Sequence, residues 1–181
     1  MYVRKIILLI TIFPCTVYSE TPVNSTFVFS EGSYSYQYAR ELTGSPEKIF
    51  QILTDYNNFT QLNSNILESR ILSAHKEPIK RLLKIRQCIF FFCFNLQMME
   101  KVIESKFRID SFIVKDNSNF SAGVASWELI EINENKTLVR LKAVQTPDFW
   151  IPPFIGPTII KSVLFRELDE TFTNLQILVS T

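Results

Sequence analysis

The chain has 181 residues with 19 basic and 18 acidic side chains, three cysteines and only four glycines. A nearly balanced charge without a basic block or stripe argues against nucleic acid as a partner, and so few glycines argue against collagen-like and glycine-rich phosphate-loop architectures. Sixteen phenylalanines, six tyrosines and two tryptophans indicate either a large core or a lined apolar cavity.

The N-terminal segment has the pattern of a secretory signal peptide. Two basic residues precede an apolar run over residues 6–13, Pro14 ends the run, and Val17 and Ser19 occupy the positions that a signal peptidase reads. The run is much shorter than the ~20 residues that span a bilayer as a helix. We therefore predict a signal peptide over residues 1–19 and export, with the periplasm as the expected location; the alternative is an uncleaved anchor. Its removal leaves one domain of 162 residues with 17 basic and 18 acidic side chains.

In the first part of this domain, the sequence predicts a strand followed by two short helices. Residues 20–32 are polar and aperiodic, which predicts a flexible leader. Residues 33–43 alternate between two faces, as a half-buried strand does. Ser45 can cap a helix that has Pro46 at its first position, and a second short helix is predicted over residues 59–62.

In the rest of the domain, the sequence predicts six more strands and a long C-terminal helix. Alternating apolar residues predict strands over residues 66–73, 80–91, 94–104, 107–115, 120–132 and 137–145. Four prolines within residues 147–157 indicate a stiff connector, and apolar residues at every third or fourth position from 158 to 179 predict an amphipathic helix. The sequence therefore predicts an α+β fold in which a curved antiparallel sheet of about seven strands wraps around the C-terminal helix.

Five segments of the chain resemble one known group of proteins. They are 45–59 (SPEKIFQILTDYNNF), 67–72 (LESRIL), 127–129 (WEL), 150–157 (WIPPFIGP) and 164–168 (LFREL). In their order and spacing they resemble the START-related superfamily called SRPBCC, in particular its polyketide cyclase/dehydrase and coenzyme-Q-binding branch and the secreted bacterial members. The resemblance covers residues 33–179.

The resemblance implies a helix-grip fold with an apolar cavity between the sheet and the C-terminal helix. Such a cavity is expected to bind, with or without transfer, a hydrophobic small molecule such as a lipid or an isoprenoid quinone. No cofactor is expected. We expect apolar residues of the strands, the connector and the last helix to line it: Leu83, Ile85, Leu96, Met98, Ile109, Trp127, Leu129, Leu141, Phe154, Ile160 and Leu164.

Candidate catalytic groups are few. His75 is the single histidine and sits in a predicted turn, while Asp110 and Glu167 are the carboxylates that could act as buried acids. No set of histidines, cysteines and carboxylates has the spacing of a zinc site. Two alternatives to a binding protein stay open. One is an enzyme of cyclase or dehydratase type that uses Glu167 or His75 on a polyketide-like or lipid substrate, and the other is an accessory protein that binds another envelope protein.

Cys88 and Cys93 flank a short aromatic run where one predicted strand meets the next. Export would place them in an oxidising compartment, in which paired cysteines tend to form disulfides. A tight turn between them would bring their Cα atoms within the ~4.4–6.8 Å that a disulfide requires, whereas a continuous strand would point them to opposite faces. We predict a disulfide between them.

The aromatic run itself, Phe90, Phe91 and Phe92, has two interpretations together with Trp150. The side chains could pack into the core and a lid in the ordinary way. Alternatively they could form an apolar rim at the cavity mouth that touches a membrane while a hydrophobic ligand is exchanged, because such a ligand crosses water only at a high free-energy cost.

Overall fold

The alternating segments of the sequence form one antiparallel sheet in the computed structural model, which describes residues 24–73, 78–89, 91–151 and 155–181. The strands are β1 (Asn24–Ser30), β2 (Ser33–Thr43), β3 (Ile66–Ser73), β4 (Ile79–Ile89), β5 (Phe92–Ser105), β6 (Arg108–Val114), β7 (Phe120–Asn133) and β8 (Lys136–Pro147). Their order across the sheet is β1-β2-β8-β7-β6-β5-β4-β3. The predicted signal peptide over residues 1–19 lies outside the described residues, as do His75, Phe90 and Phe154.

Three helical segments complete the fold. Helix α1 (Pro46–Thr54) follows β2, a 3₁₀ helix (Tyr56–Gln61) follows α1, and the long helix α2 (Pro157–Ser180) ends the chain. The Ser45 Oγ accepts a hydrogen bond from the backbone N–H of Lys48 at 3.3 Å, which caps α1 as predicted. The curved sheet grips α2, so the predicted α+β helix-grip fold is confirmed, with eight strands rather than about seven.

The additional strand is a correction to the predicted flexible leader. Residues 24–30 of the predicted 20–32 leader form β1, which pairs along its whole length with β2. The turn between them has positive φ at Glu31 (51°) and Gly32 (75°), which matches the right-handed twist of a tight hairpin. Phe27 anchors the strand, because its ring lies 5.9 Å from that of Tyr34 and 6.4 Å from that of Phe165 in α2. Six of its seven residues are exposed and only Phe27 is partly buried, so the segment lacks the alternation from which a half-buried strand is predicted.

The C-terminal half of α2 packs closely against the sheet. It buries Leu168, Phe172, Leu175 and Val179, and Phe172 places its ring 4.8 Å from that of Tyr38 and 5.5 Å from that of Trp127. We refer to this part of the interior as the closed end. Among the described residues, none of the helices has the length and the hydropathy that crossing a membrane requires.

Gly44, at the end of β2, shows how closely the helix approaches the sheet there. Its φ of +143° suits glycine alone, and a Cβ at this position would lie 2.2 Å from Cγ1 of Val179. Glycine therefore lets the last turn of α2 approach the backbone and complete the closed end.

Candidate functional site

An apolar cavity of about 140 Å³ opens at the other end of the grip, between the N-terminal half of α2, the connector before it and the turn end of β4 and β5. We refer to this part as the open end. In the described part of the chain, the cavity is lined by twelve apolar residues: Ile85, Ile89, Phe94, Leu96, Phe120, Pro147, Phe149, Ile151, Ile155, Ile160, Val163 and Leu164. A dry cavity of ~150 Å³ holds one benzene molecule, so this one accommodates a single ring or a short chain segment.

The register of β4 and β5 builds one wall of the cavity. In β4 the side chains of Ile85, Gln87 and Ile89 point inward at every second position, as the period of a strand requires. In β5, Leu96 lies opposite Ile85 and Phe94 lies opposite Gln87, and both also face the cavity. Two neighbouring strands therefore present a continuous apolar surface that Gln87 alone interrupts.

The structure places four of the predicted cavity residues around the cavity and six elsewhere. Those that line it are Ile85 and Leu96 in the sheet and Ile160 and Leu164 in α2. Those packed in the core are Leu83, Met98, Ile109, Trp127, Leu129 and Leu141. Phe154 lies outside the described residues. The alternation identifies which face of a strand is inward, but not how far along the strand the closed end reaches. Contact of the four wall residues with a ligand stays a prediction.

The sequence predicted the connector as part of the cavity wall through Phe154 alone, and the polar residues of the wall were missed. Pro147, Phe149, Ile151 and Ile155 line the cavity because the connector folds over its edge. A signal was present, since the connector is rich in apolar residues that no predicted strand or helix would bury. Gln87 likewise continues the inward series of β4, and a polar residue at an apolar position of a strand is a sign of function.

Three polar side chains, Tyr34, Gln87 and Gln145, complete the wall. Within the described part of the chain, the Nε2 of Gln87 is buried and has no hydrogen-bond partner. The Oε1 of Gln145 accepts a hydrogen bond from the Tyr36 hydroxyl at 3.4 Å, and its Nε2 reaches only the Met98 sulfur at 3.9 Å. Burial raises the pKa of the Tyr34 hydroxyl, which therefore stays protonated at neutral pH. The wall is therefore apolar with a few neutral hydrogen-bonding groups.

Neither predicted acid with a described position lies on the cavity wall. The Glu167 carboxylate accepts hydrogen bonds from Asn65 Nδ2 at 2.5 Å and from Arg166 at 3.2 Å. It fixes the loop before β3 to α2. Asp110 accepts two hydrogen bonds from Arg108, at 2.8 and 2.9 Å, and this guanidinium lowers the pKa of the Asp110 carboxyl. In the described ranges, no three His, Cys, Asp and Glu side chains lie close enough together to hold a metal ion.

A buried ion pair lies deeper in the interior, where the closed end begins. Arg81 of β4 donates two hydrogen bonds to Glu100 of β5, at 2.5 and 2.9 Å, and each side chain is only 7% exposed. The guanidinium carbon also lies 4.8 Å from the ring centroids of Tyr56 and Phe59. Along the two strands this pair is two inward positions away from the cavity pair Ile85 and Leu96. The pair thus belongs to the packed interior and not to the cavity wall.

The hairpin between β4 and β5 ends beside the cavity. Cys88 and Cys93 lie opposite each other in the two strands, and their sulfur atoms form a disulfide at 2.06 Å. Phe91, in the turn beyond the disulfide, is 84% exposed, and its ring lies 4.5 Å from that of Phe92. The tight turn that the disulfide prediction required is therefore present.

A second exposed aromatic residue lies on the connector. Trp150 is 71% exposed, while its neighbours Phe149 and Ile151 both face the cavity. Phe149 also places its ring 6.0 Å from that of Phe94 in β5, which joins the connector to the hairpin strands. Phe91 and Trp150 thus project into solvent from the two segments that border the cavity. We call these two residues the aromatic rim.

The fold has close counterparts among solved structures. A START superfamily protein from Mycobacterium smegmatis superposes with a TM-score of 0.66 at 17% identity, over 81% of this chain and 97% of that one. The Zhui aromatase/cyclase from Streptomyces sp. R1128 gives 0.65 at 7% identity, over 82% and 94%. A STAR-related lipid transfer protein from Xanthomonas axonopodis gives 0.59 at 13% identity, over 84% and 98%.

These similarities define the class of structure. The chain has the START-like helix-grip fold, which the resemblance to SRPBCC proteins predicted. At the level of sequence, no family model and no curated protein matches it. Identities of 7–17% establish the fold alone, so the function has to be argued from the site.

Proposed function

We propose that this protein binds a hydrophobic small molecule, of the lipid or isoprenoid quinone class, in the cavity at the open end. The observation that carries the proposal is a cavity with twelve apolar wall residues and no charged residue among those described. Apolar burial would supply the affinity, and the few polar groups would orient the ligand. At about 140 Å³ the cavity holds one ring or a short chain segment, so the rest of a longer ligand would extend out of it.

Binding is favoured over catalysis by the chemistry of the wall. The folds that superpose include both a lipid transfer protein and an aromatase/cyclase, so the architecture suits either role. Acid–base catalysis needs a titratable group within hydrogen-bond reach of the substrate. Glu167 and Asp110, the predicted acids with described positions, both lie off the cavity wall and are bonded to other side chains. The titratable side chain on the described wall is Tyr34, and burial raises the pKa of its hydroxyl further above neutral pH.

We further propose that the aromatic rim contacts a membrane during ligand exchange, with Phe92 beside it in the hairpin and with Phe90, which lies outside the described residues, as a further expected contact. Phe91 and Trp150 are large aromatic side chains, and both expose most of their surface to water. Exposed apolar surface of this kind is typical of contact sites for proteins or membranes. Each CH₂ of a ligand exposed to water costs about 0.8 kcal/mol. Docking the rim at a bilayer would shield that transfer.

Export to the periplasm or an equivalent oxidising compartment is part of the same proposal. The signal-peptide pattern of residues 1–19 and the disulfide between Cys88 and Cys93 both support it. A bilayer that supplies or receives the ligand would be available there.

The binding proposal is tested by native mass spectrometry of residues 20–181 purified without detergent, followed by solvent extraction. We expect a stoichiometric adduct that extracts as a lipid or quinone, and we expect Leu164→Trp, which fills the cavity, to lack it. Ile177→Trp is the matched control, because Ile177 is 56% exposed on the same helix and away from the cavity. A clean apo mass with no uptake of added lipids or quinones would overturn the proposal.

The membrane proposal is tested by cosedimentation with vesicles of neutral and anionic phospholipids. The double variant Phe91→Ser, Trp150→Ser is expected to lose most of its vesicle binding, whereas Ile177→Ser removes an exposed apolar side chain elsewhere and should bind as the wild type does. Equal binding by all three proteins would refute the rim as the contact surface.

A further inference from the structure

The side-chain amide of Gln87, whose Nε2 has no hydrogen-bond partner among the described residues, indicates which functional group the ligand carries. A buried polar group without a hydrogen-bond partner costs roughly 1–3 kcal/mol, and native proteins retain few of them. Among the described residues the Nε2 of Gln87 is such a group, and the Gln87 side chain lines a cavity whose wall is mostly apolar. A ligand that accepts a hydrogen bond from it would remove this cost when it binds.

A second amide donor on the same cavity wall is weakly used. The Gln145 side chain is held by the Tyr36 hydroxyl, which donates to its Oε1 at 3.4 Å. That contact leaves Nε2 as the free end of the amide, and its acceptor is the Met98 sulfur at 3.9 Å. A thioether sulfur is a weak acceptor, so an oxygen atom would compete with it easily.

The lack of charged side chains among the described wall residues indicates which kind of hydrogen-bond acceptor the ligand carries. No lysine, arginine or histidine is among the described wall residues, so a carboxylate or phosphate placed there would lose its hydration without gaining a counter-charge. A neutral carbonyl oxygen accepts one or two N–H donors and costs much less to desolvate.

We propose that the ligand presents a neutral carbonyl oxygen, as in a ketone, quinone, ester or amide, to Gln87 Nε2, with Gln145 Nε2 as the second donor. This inference rests on the proposed binding function and specifies its ligand. The apolar wall holds the rest of the ring or chain, and the two amides fix which end enters the cavity.

The test compares three small probes that share one benzene ring: acetophenone, ethylbenzene and benzoate. Affinity is measured from ¹³C-methyl NMR titrations of residues 20–181. The wild type is expected to bind acetophenone about tenfold more tightly than ethylbenzene, because one buried donor becomes paired, and benzoate most weakly. Gln87→Met keeps the length of the side chain without its N–H groups and should abolish the preference for acetophenone. Gln51→Met is the control, since Gln51 is exposed on α1, and should retain the preference.

Each outcome separates this inference from the binding function. Equal affinity for acetophenone and ethylbenzene, or tightest binding of benzoate, would overturn the carbonyl inference and leave a hydrophobic binding cavity in place. A preference for acetophenone that survives in both Gln87→Met and Gln145→Met would overturn the carbonyl inference too. If Gln87→Met does not fold, the result for Gln145→Met is used alone. Absence of binding by any probe to the folded wild type would overturn the binding function as well.

Discussion

The two halves of α2 face the same sheet but differ in how closely they pack against it. In the C-terminal half, Phe172 and Leu175 are fully buried, and aromatic rings from the sheet fill the space around them. In the N-terminal half, Ile160, Val163 and Leu164 are only partly buried and border a cavity. The difference lies in how the sheet meets the helix: the rings of Tyr38 and Trp127 pack directly against Phe172 at the closed end, whereas the sheet residues at the open end border a cavity of about 140 Å³. One continuous helix therefore both stabilises the fold and lines a cavity.

The charged groups of the interior are ion-paired. Arg40 donates to Asp169 at 2.5 Å and to Thr173 at 3.1 Å, although its Nε has no partner among the described residues, and Arg81 is bonded to Glu100. At the open end the Nε2 of Gln87 lacks a partner within the described part of the chain. Paired groups fix the structure, whereas an unpaired group beside a cavity is available for a ligand.

The largest expected effect contrasts two residues of the same helix. Phe172→Ala should lower the free energy of unfolding by about 3–5 kcal/mol, because it leaves a large hole in a packed core. Leu164→Ala should cost only about 1 kcal/mol, since this side chain already borders empty space. Urea unfolding of both variants measures the difference. Similar losses would mean that the two halves of α2 are packed alike and would contradict the comparison.

A second prediction concerns the ion pair at the closed end. Glu100→Gln leaves the Arg81 guanidinium buried without a counter-charge and should cost about 3 kcal/mol of unfolding free energy. Glu68→Gln is the matched control, because Glu68 pairs with Arg70 and Lys84 at the surface, where such pairs contribute roughly 0–1 kcal/mol. Urea unfolding again supplies the measurement. Equal small losses would show that Glu100 is better solvated than its burial indicates.

Loss of the disulfide should affect the open end and spare the closed end. Cys88→Ser, Cys93→Ser opens a loop with a sequence separation of 5, so the cost in unfolding free energy should be at most about 2 kcal/mol. Hydrogen exchange should accelerate most at the backbone amides of the β4–β5 hairpin beside the cavity, and in residues 168–179 by no more than the loss of unfolding free energy requires. Acceleration throughout α2 beyond that loss would argue against two independent ends.

The smallest expected effect is a pH dependence at the outer face of the sheet. Arg108 lowers the pKa of Asp110 from its usual 3.8. Burial alone would raise the pKa of Glu128, but hydrogen bonding to Arg140 and the charges of Lys142 and Arg108 outweigh burial and lower it from 4.5. Because both folded-state pKa values lie below the unfolded ones, the stabilisation is complete above about pH 4.5 and is lost as the pH falls through the folded-state values.

Melting temperatures between pH 2 and 6 test this assignment with Arg108→Gln. The variant should melt below the wild type at pH 6, and the two curves should converge as the pH falls. Lys101→Gln removes the same charge from an exposed position of β5 and should show no such convergence. A constant difference between wild type and Arg108→Gln at all pH values would contradict the assigned ion pairs.

The fold could be predicted from sequence more completely than the site. Period-two and helical patterns are local, so seven strands and α2 were predicted close to their observed bounds, and the Ser45 cap marked α1. Strand β1 was missed because its pairing depends on a turn at Glu31 and Gly32 that its polar composition did not reveal.

The site depends on distances along the strands that a pattern does not contain. Leu83 and Ile85 are equivalent in the alternation, yet Leu83 is buried in the core and Ile85, two residues nearer the hairpin turn, borders the cavity. The connector was expected to line the cavity, but which of its residues do so could not be predicted, since its prolines indicate stiffness but not direction. Gln87 was visible only as a polar residue in an apolar series.

The most direct test of the open and closed ends is a ¹³C-methyl NMR titration of residues 20–181 with benzene, a probe matched to a cavity of about 140 Å³. The account predicts saturable shifts at the methyl groups of Ile85, Ile89, Ile160 and Leu164, with Leu175 and Val179 unchanged. Shifts of similar size at Leu175 and Val179, or no saturable shift at any of these methyl groups, would contradict it.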